Sequence, residues 1–392
     1  MKGIGIILAS NPGYSETFLM NKISYLKKAG LQVIVFADRD RNARIKDCKT
    51  VIAHQVAETA WIRFLKIGWV ILYTTLVHPA ACTRFFLSEL KDGRSWLVAC
   101  KNLYRSCHVF GYSLAWIHFE FATLALGREN LCRAVKARMA VSVRGFDISL
   151  YPLSHPNCYI LLWKRVDKLH SISDDLYLEA LRQGFPAEKP WVKITPAINT
   201  DIVKPKMNLG LIGNPVKVVS VGRLEWKKGF EYAIRAICLL KQVGISIEYR
   251  IVGEGSERES LAYSIVQQQL QHEVILKGRL SHSETLQVMH EADIYLQPSV
   301  QEGFCNALIE AQATGLLCIA TNAEGLSENV INEESGWIVP KVNPHALAKK
   351  IQEVIELPAA VRKGIAENAI HRVNSNFRLE SQVRQFNDFY AN

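Results

Sequence analysis

The sequence predicts an α/β protein with two domains, in which helices cover the faces of parallel sheets. The chain has 392 residues and is 49% hydrophobic, so it is long enough to form two separate cores. Residues 1–37 read as strand, loop, helix and strand, and the stretches 216–242 and 294–321 repeat this alternation. Regular alternation of strands and helices is typical of parallel sheets, which bind ligands at the carboxyl ends of their strands.

The first strand is followed by a glycine-containing loop and then by a helix predicted over residues 17–28. Lys27 and Lys28 lie at the end of this helix, Gly30 follows it, and a second strand is predicted over residues 31–37. Residues 1–10 hold one lysine and a short apolar run, but no small-residue cleavage pattern follows. We therefore interpret them as a strand and not as a signal peptide.

The most apolar stretch of the chain is residues 61–87. The uncharged run within it, residues 67–83, is shorter than the ~20 apolar residues that a membrane span requires, so we predict no transmembrane helix. Two interpretations stay open. The stretch is either a buried helix or helix pair, or an interfacial segment in which Trp61, Trp69 and Tyr73 lie near Arg63 and Lys66.

Charge is unevenly distributed along the chain. Residues 1–200 hold 27 Lys and Arg against 15 Asp and Glu, a net +12, and the remainder holds 20 against 22, a net −2, which together give +10. The basic half should face an anionic partner. Since no aromatic-basic or helix-turn-helix pattern is present, an anionic membrane surface or a phosphorylated acceptor is favoured over nucleic acid. The nine cysteines are scattered without a Cys-x-x-Cys pair, which is typical of a reducing compartment.

Residues 222–229, Gly-Arg-Leu-Glu-Trp-Lys-Lys-Gly, form a cationic loop between a buried strand and a helix predicted over 230–242. Arg223 and Lys228 are carried on this glycine-bounded loop at the carboxyl end of the strand. Arginine is a fixed fork of donors and lysine a point charge, so the pair is suited to a diphosphate. The alternative is ordinary solvated charge.

Residues 296–321 read as strand, loop, helix, turn and strand, with a helix predicted from about 304 to 314. Glu302 precedes the helix, and Glu310 lies inside it with its side chain tilted toward the helix start. A polar ligand there would contact both carboxylates. Free N–H groups at the helix start favour an anion; these belong to Gly303, Phe304 and Cys305.

Together the two loops resemble the retaining glycosyltransferases of family 4, also called group 1 glycosyl transferases. The resemblance rests on Gly-Arg-Leu-x-x-x-Lys-Gly at 222–229 and Glu-Gly-Phe-x-x-x-x-x-Glu-Ala at 302–311, and it continues through 251–256, 276–280, 292–299 and 334–340. It implies the GT-B architecture, two Rossmann-like domains facing each other across a cleft. Residues 1–206 would form the acceptor domain, 207–375 the nucleotide-sugar domain, and 376–392 a helix that crosses back to the first domain.

The resemblance also assigns roles to residues. Glu302 would bind hydroxyls of the donor sugar, Glu310 the ribose, and the loop at Arg279 and Leu280 the nucleobase. Arg223 and Lys228 would stabilise the leaving diphosphate. The remaining donor-side candidates are residues that border the same cleft: Gly13, Gly303, Phe304, Cys305 and Asn306. The family does not generally use a metal, so no metal or cofactor is expected, the nucleotide-sugar being a co-substrate.

Three residues of the first half are further candidates. His118 lies at the end of a strand, where it either lines the cleft on the acceptor side or is a core histidine. Arg144 stands where many relatives carry a histidine beside the donor sugar, and it would add a cation to the phosphate side. Asp147 is either an acceptor ligand or a turn cap. The sequence Asp38-Arg-Asp40 resembles the metal-binding Asp-x-Asp of another glycosyltransferase fold, but we interpret it as a surface turn.

The predicted activity is transfer of a hexose from a UDP- or GDP-sugar to a glycan or lipid-linked acceptor, with retention, in surface polysaccharide biosynthesis. The predicted location is cytoplasmic, peripheral on the inner face of the cell membrane. Two alternatives remain: another GT-B enzyme, such as a phosphorylase or an epimerase, and a non-catalytic sugar-nucleotide-binding component of a polysaccharide assembly complex.

Overall fold

The computed structural model describes residues 3–10, 17–40, 48–55 and 59–391. The chain divides into two compact units, Met1–Ile194 with Val383–Asn392, and Thr195–Gln382. The sequence prediction placed the boundary at 206, but the segment before it is bonded within the second unit. The backbone N–H of Lys206 donates to the Thr314 carbonyl at 3.0 Å, and its Nζ donates to the Ala292 carbonyl at 2.8 Å. The candidate Gly13 lies outside the described residues.

The first unit is an α/β sandwich around one parallel sheet. Its strands are β1 (Gly3–Ser10), β2 (Val33–Arg39), β3 (Lys49–Ile52), β4 (Leu114–Phe119), β5 (Arg138–Val143), β6 (Lys168–Ser171) and β7 (Trp191–Lys193). Its helices are α1 (Thr17–Lys28), α2 (Ala60–Val77), α3 (Pro79–Lys91), α4 (Trp96–Ser106), α5 (Leu131–Val135), α6 (Tyr151–Ser154), α7 (Ile160–Arg165) and α8 (Asp174–Arg182). The bounds of α1 agree with the predicted helix, whereas β2 begins two residues later than predicted.

The sheet has the order β3-β2-β1-β4-β5-β6-β7, and every described pair of strands is parallel. The order reverses between β1 and β4, which is the doubly wound arrangement of Rossmann-like domains. The strands are apolar on both faces because helices cover both, as in β1, where all but one residue is buried. The predicted β-α-β beginning is thus confirmed.

The apolar stretch 61–87 forms α2 and α3, so the expected helix pair is confirmed but its burial is not. Trp61, Phe64, Trp69 and Leu76 are each more than 60% exposed, the lowest value being 66%. Within the described ranges, no single helix combines the length and apolarity of a membrane span. The pair 61–77 and 79–91 reaches that composition together, but it is bent by 119°.

The second unit contains a second parallel sheet. Its strands are β8 (Val216–Val221), β9 (Ile247–Val252), β10 (Val274–Gly278), β11 (Ile294–Gln297), β12 (Leu317–Thr321) and β13 (Trp337–Val339). Its helices are α9 (Phe230–Gln242), α10 (Arg258–Gln267), α11 (His282–His290), α12 (Asn306–Ala313), α13 (Leu326–Asn329), α14 (Pro344–Glu356) and α15 (Ala359–Asn376). The sheet order β10-β9-β8-β11-β12-β13 again reverses beside the first strand, between β8 and β11. The loops that follow these two strands carry the predicted site.

The last helix, α16 (Leu379–Ala391), ends the chain. Its residues from Val383 onward belong to the first unit, where Phe386 and Phe389 are buried in the core. The indole N–H of Trp116 donates to the Tyr390 carbonyl at 2.8 Å. Phe386 and Phe389 therefore lie on the core-facing stripe of this helix.

Candidate functional site

Two loops of the second unit meet where β8 and β11 end side by side. Backbone hydrogen bonds join them, since the N–H of Val300 donates to the Lys227 carbonyl at 2.8 Å. Gly229 adopts φ +64° at the closest approach, where a Cβ atom would lie 2.2 Å from the Pro298 carbonyl oxygen. A side chain there would force the loops apart, so the glycine that ends the cationic loop is a packing requirement.

This junction brings together Lys228 and Glu302, whose side chains form an ion pair and are 11% and 15% exposed. Burial alone would lower the pKa of Lys228, but the Glu302 carboxylate outweighs it and raises that pKa above the ordinary value. Lys228 is therefore a cation at any physiological pH. The sequence predicted both residues for the site but not their contact with each other.

A buried polar network lies beneath the ion pair, and the sequence analysis missed it. The Tyr295 hydroxyl donates to Gln297 Oε1 at 2.8 Å, and Gln297 Nε2 donates to Ser299 Oγ at 2.7 Å. All three residues are almost fully buried. The available signal was a glutamine inside an otherwise apolar strand, because a buried amide requires partners.

The backbone donors at the helix start differ from the prediction. α12 begins at Asn306, two residues later than expected, and the Cys305 N–H donates to Asn329 Oδ1 at 3.1 Å. The expectation that Cys305 offers a free N–H is therefore wrong. Burial raises the pKa of its thiol to about 11, so the thiol is neutral. In the described part of the chain, the N–H groups of Gly303 and Phe304 donate to no other residue.

Glu324 completes this mouth from the loop after β12. Its Oε2 accepts from the Glu302 N–H at 2.8 Å, and its Oε1 lies 3.0 Å from Lys341 Nζ. The Gly325 N–H donates back to the Glu302 carbonyl at 3.0 Å. Glu324 and the adjacent Gly325 together fix the backbone of Glu302 from two sides.

The second glutamate of the motif, Glu310, accepts a hydrogen bond from His282 Nε2 at 2.8 Å. His282 is the first residue of α11, whose start is fixed by a capping box between Ser281 and Glu284. The carboxylate is 17% exposed and the imidazole 49% exposed, so a ligand can reach both. The capping box was visible in the sequence and would have located His282 beside the predicted nucleobase loop.

We expect the pKa of His282 to lie above the ordinary histidine value. Its hydrogen bond to Glu310 raises the pKa, against a smaller lowering by partial burial. The imidazolium–carboxylate pair therefore adds stability below the ordinary pKa, and this contribution is lost as pH rises through the raised pKa. NMR titration of the His282 ring should show the elevated value in the wild type and a lower one in Glu310→Gln. An unchanged titration in the variant would contradict the contact.

The other predicted donor-side residues are more exposed. The Arg223 guanidinium is 58% exposed and pairs with Glu225 at 2.7 Å. Arg223 and Lys228 share one short loop, residues 222–229. Arg279 is exposed and Leu280 half-buried between β10 and α11. Their position at a strand's carboxyl end agrees with the prediction, and their contact with a nucleobase stays a prediction.

Arg144, in the first unit, is already neutralised by a buried partner. It pairs with Glu120, which also pairs with Lys22, and both the carboxylate and Lys22 are almost fully buried. Although burial opposes it, the two cations hold the pKa of Glu120 well below its ordinary value. Burial lowers the pKa of Lys22 to about 8. Arg144 is thus part of an ion-pair cluster inside the first unit, and its role as a cation on the phosphate side stays a prediction.

His118 and Asp147, the two acceptor-side candidates, are corrected by the structure. His118 is fully buried, with Nε2 2.7 Å from Ser142 Oγ and its ring stacked on Phe389. Asp147 is also fully buried and accepts backbone N–H groups, including that of Arg144 at 3.0 Å. Of the alternatives left open, the core histidine and the turn cap are therefore correct.

The described residues contain no cluster of three or more His, Cys, Asp or Glu side chains that could hold a metal. Asp38, of the Asp-x-Asp sequence, instead pairs with the buried Arg128. Asp38 therefore lies near the end of β2 in a partly buried ion pair, whereas Arg39 and Asp40 are exposed, as a surface turn requires.

Comparisons with known proteins agree with this fold. Residues 205–372 match the family described as glycosyl transferases group 1. The chain is 27% identical over 400 residues to the putative colanic acid biosynthesis glycosyltransferase WcaL of Escherichia coli (strain K12), covering 96% of each chain. It is 26% identical over 357 residues to the amylovoran biosynthesis glycosyltransferase AmsK of Erwinia amylovora, covering 86% of each.

Solved structures share the whole fold. The sucrose-phosphate synthase of Thermosynechococcus elongatus gives a TM-score of 0.75 at 20% identity, over 100% of this chain and 98% of that one. Anabaena HepE in complex with UDP gives 0.74 at 16% identity, over 100% of both chains. Two parallel-sheet units of this kind form the GT-B fold, so the predicted fold class is confirmed. The likeness to the group 1 glycosyl transferases covers residues 205–372, and the likeness to WcaL covers nearly the whole chain.

Proposed function

We propose that the protein transfers a hexose from a UDP- or GDP-sugar to a glycan or lipid-linked acceptor in surface polysaccharide biosynthesis. The observation that carries the proposal is the Lys228–Glu302 ion pair, next to the available N–H groups of Gly303 and Phe304. WcaL, a putative colanic acid biosynthesis glycosyltransferase, and AmsK, an amylovoran biosynthesis glycosyltransferase, support the acceptor class. The HepE structures with UDP and UDP-glucose support a nucleotide-sugar donor.

The ion pair is suited to exchange partners when a donor binds. Lys228 Nζ turns from Glu302 to the diphosphate, which is a stronger anion, and Glu302 is released to accept hydroxyls of the sugar. The N–H groups of Gly303 and Phe304 face the same anion. Positive charge is therefore in place before the leaving group becomes more negative in the transition state.

The chemistry we propose is substitution on one face of the anomeric carbon. The bond from that carbon to the diphosphate oxygen breaks, the bond to the acceptor hydroxyl forms, and the acceptor proton passes to the leaving phosphate. Lys228 and Arg223 supply the charge that a divalent metal would otherwise provide, so we propose activity without a metal. NMR of the product should show the anomeric configuration of the donor, and EDTA should leave the rate unchanged.

Glu310→Ala is expected to weaken nucleotide binding by about tenfold or more, because charged hydrogen bonds to the ribose are lost. The measurement is thermal stabilisation of the purified protein by UDP, GDP and ADP. One nucleotide should stabilise the wild type, and this shift should be much smaller in the variant. Glu259→Ala, an exposed glutamate on α10 of the same unit, is the matched control and should keep the full shift.

A lack of stabilisation by all three nucleotides would refute the proposed donor class. If Glu259→Ala and Glu310→Ala reduced the nucleotide-induced thermal shift equally, the effect would be structural and not the loss of a contact with ribose. Nucleotide binding without any transfer to polysaccharide or lipid-linked acceptors would favour a non-catalytic role.

A further inference from the structure

The outer surface of α2 is apolar over most of its circumference. A narrow stripe of this helix packs on the first unit, where Ile67, Val70 and Ile71 meet Tyr104 and Cys107. The side chains that point away are as apolar as those that point inward. Seven of them are more than half exposed: Trp61, Phe64, Leu65, Trp69, Leu72, Tyr73 and Leu76.

Soluble monomers usually expose apolar side chains singly, and contiguous exposed apolar patches mark interaction sites. Here three or more aromatic rings and several leucines follow one another along a single 18-residue helix. α4, which packs beside it, adds Trp96 at 62% exposure. An exposed surface of this kind requires a covering partner.

Charges around the surface point to the chemistry of that partner. Residues 59–106 hold seven Lys and Arg against two Asp and Glu. Both acids are already engaged inside the unit, Glu89 with Arg94 at 2.7 Å and Asp92 with Arg165. Lys66 and Lys101, in contrast, are exposed. In the described part of this segment, the surface therefore combines apolar side chains with cations and presents no exposed acid.

We propose that α2, with the adjoining part of α4, docks the protein on the interface of an anionic lipid bilayer. Trp and Tyr rings bind at the boundary between headgroups and acyl chains, and lysines pair with anionic headgroups. A second copy of the chain fits less well, because a symmetric interface would bring like cations against each other. Since α2 and α3 are bent by 119°, the docking is along the surface and not a straight span.

Docking is independent of the proposed transfer reaction, so the two can fail separately. We would test it by sedimentation of the full-length protein with phosphatidylcholine vesicles that contain or lack 30% phosphatidylglycerol. The triple variant Trp61→Ser, Phe64→Ser, Trp69→Ser removes the apolar contact. The matched control changes three exposed apolar residues elsewhere in the same unit, Leu153→Ser, Ile160→Ser and Leu178→Ser.

The wild type should bind the anionic vesicles at least tenfold more tightly than neutral ones, and 0.5 M salt should reduce that preference. The affinity of the triple variant for anionic vesicles should be lower by tenfold or more, whereas the control should bind them like the wild type. Lys66→Glu with Lys101→Glu should remove the preference for anionic lipid. Brominated lipids should quench tryptophan fluorescence in the wild type and not in the triple variant.

Three outcomes would overturn the proposal: no binding of the folded wild type to anionic vesicles, equal losses in the triple variant and its control, or a dimer in light scattering that the triple variant dissociates. The last would assign the surface to a second copy. Nucleotide-induced thermal stabilisation, measured on the same samples, should be equal in all variants. Its loss throughout would count against the proposed function and not against docking.

Discussion

Lys228→Ala is expected to lower kcat by about 10²–10³-fold, the usual consequence of removing one preorganised charge from a leaving-group site. Lys228 is the most buried cation of the loop after β8, and its only described ion-pair partner is Glu302. Its charge acts mainly as the diphosphate departs, so KM should change less than kcat. The measurement is steady-state transfer, or donor hydrolysis, with the nucleotide-sugar that thermal stabilisation selects.

Lys227→Ala is the matched control, because Lys227 lies on the same turn and pairs with Glu225 at 3.3 Å. Its loss should leave kcat within about threefold of the wild type. Lys228→Arg, which keeps the charge, should recover part of the activity. Similar rates in Lys227→Ala and Lys228→Ala, or no recovery with arginine, would remove Lys228 from the proposed role.

The sequence predicted the second unit well because its constraints are local. Two features each follow a strand: the cationic loop bounded by glycines, and the Glu-Gly turn before a helix. Parallel strands place the loops that follow them at one edge of the sheet. The prediction therefore located Lys228, Glu302 and Glu310 in one region. The contact between Lys228 and Glu302 was not predictable, because it depends on the 74-residue separation being closed by adjacent β8 and β11.

The first unit was predicted less well, because its charged and polar residues are satisfied by long-range partners. Glu120 engages Arg144 and Lys22, and His118 packs on Phe389, which lies far away in the sequence. The local amino-acid sequence shows which side chains can ionise, but it does not show which buried partner neutralises them. The exposure of α2 could not be predicted either. An apolar stretch has the same sequence pattern whether it packs against the protein core or lies at a membrane interface.

Gly253→Ala is expected to destabilise the second unit by about 3 kcal/mol or more, through both steric overlap and backbone strain. Gly253 has φ +145°, and a Cβ atom there would lie 1.9 Å from the Gly222 carbonyl oxygen. That contact cannot be relieved by rotating a side chain, because both partners are backbone. The melting temperature should fall by roughly 10 °C, which differential scanning fluorimetry measures directly.

Gly244→Ala separates strain from overlap. Gly244 also has positive φ, +83°, but a Cβ atom there would meet nothing within 4 Å. Its substitution should cost about 1 kcal/mol, the strain of a left-handed residue alone. Equal destabilisation by the two variants would show that close approach to Gly222 is unimportant.

The close approach also connects stability with the site. The Gly222 N–H donates to the Val252 carbonyl at 3.0 Å, and the Gly253 N–H donates to the Gly278 carbonyl at 2.9 Å, so the ends of β8, β9 and β10 are held together. Gly222 begins the loop that carries Lys228. Displacing its carbonyl should therefore move that loop, and Gly253→Ala should lose nucleotide-induced stabilisation even below its melting temperature. Gly244→Ala, at the far end of α9, should retain it.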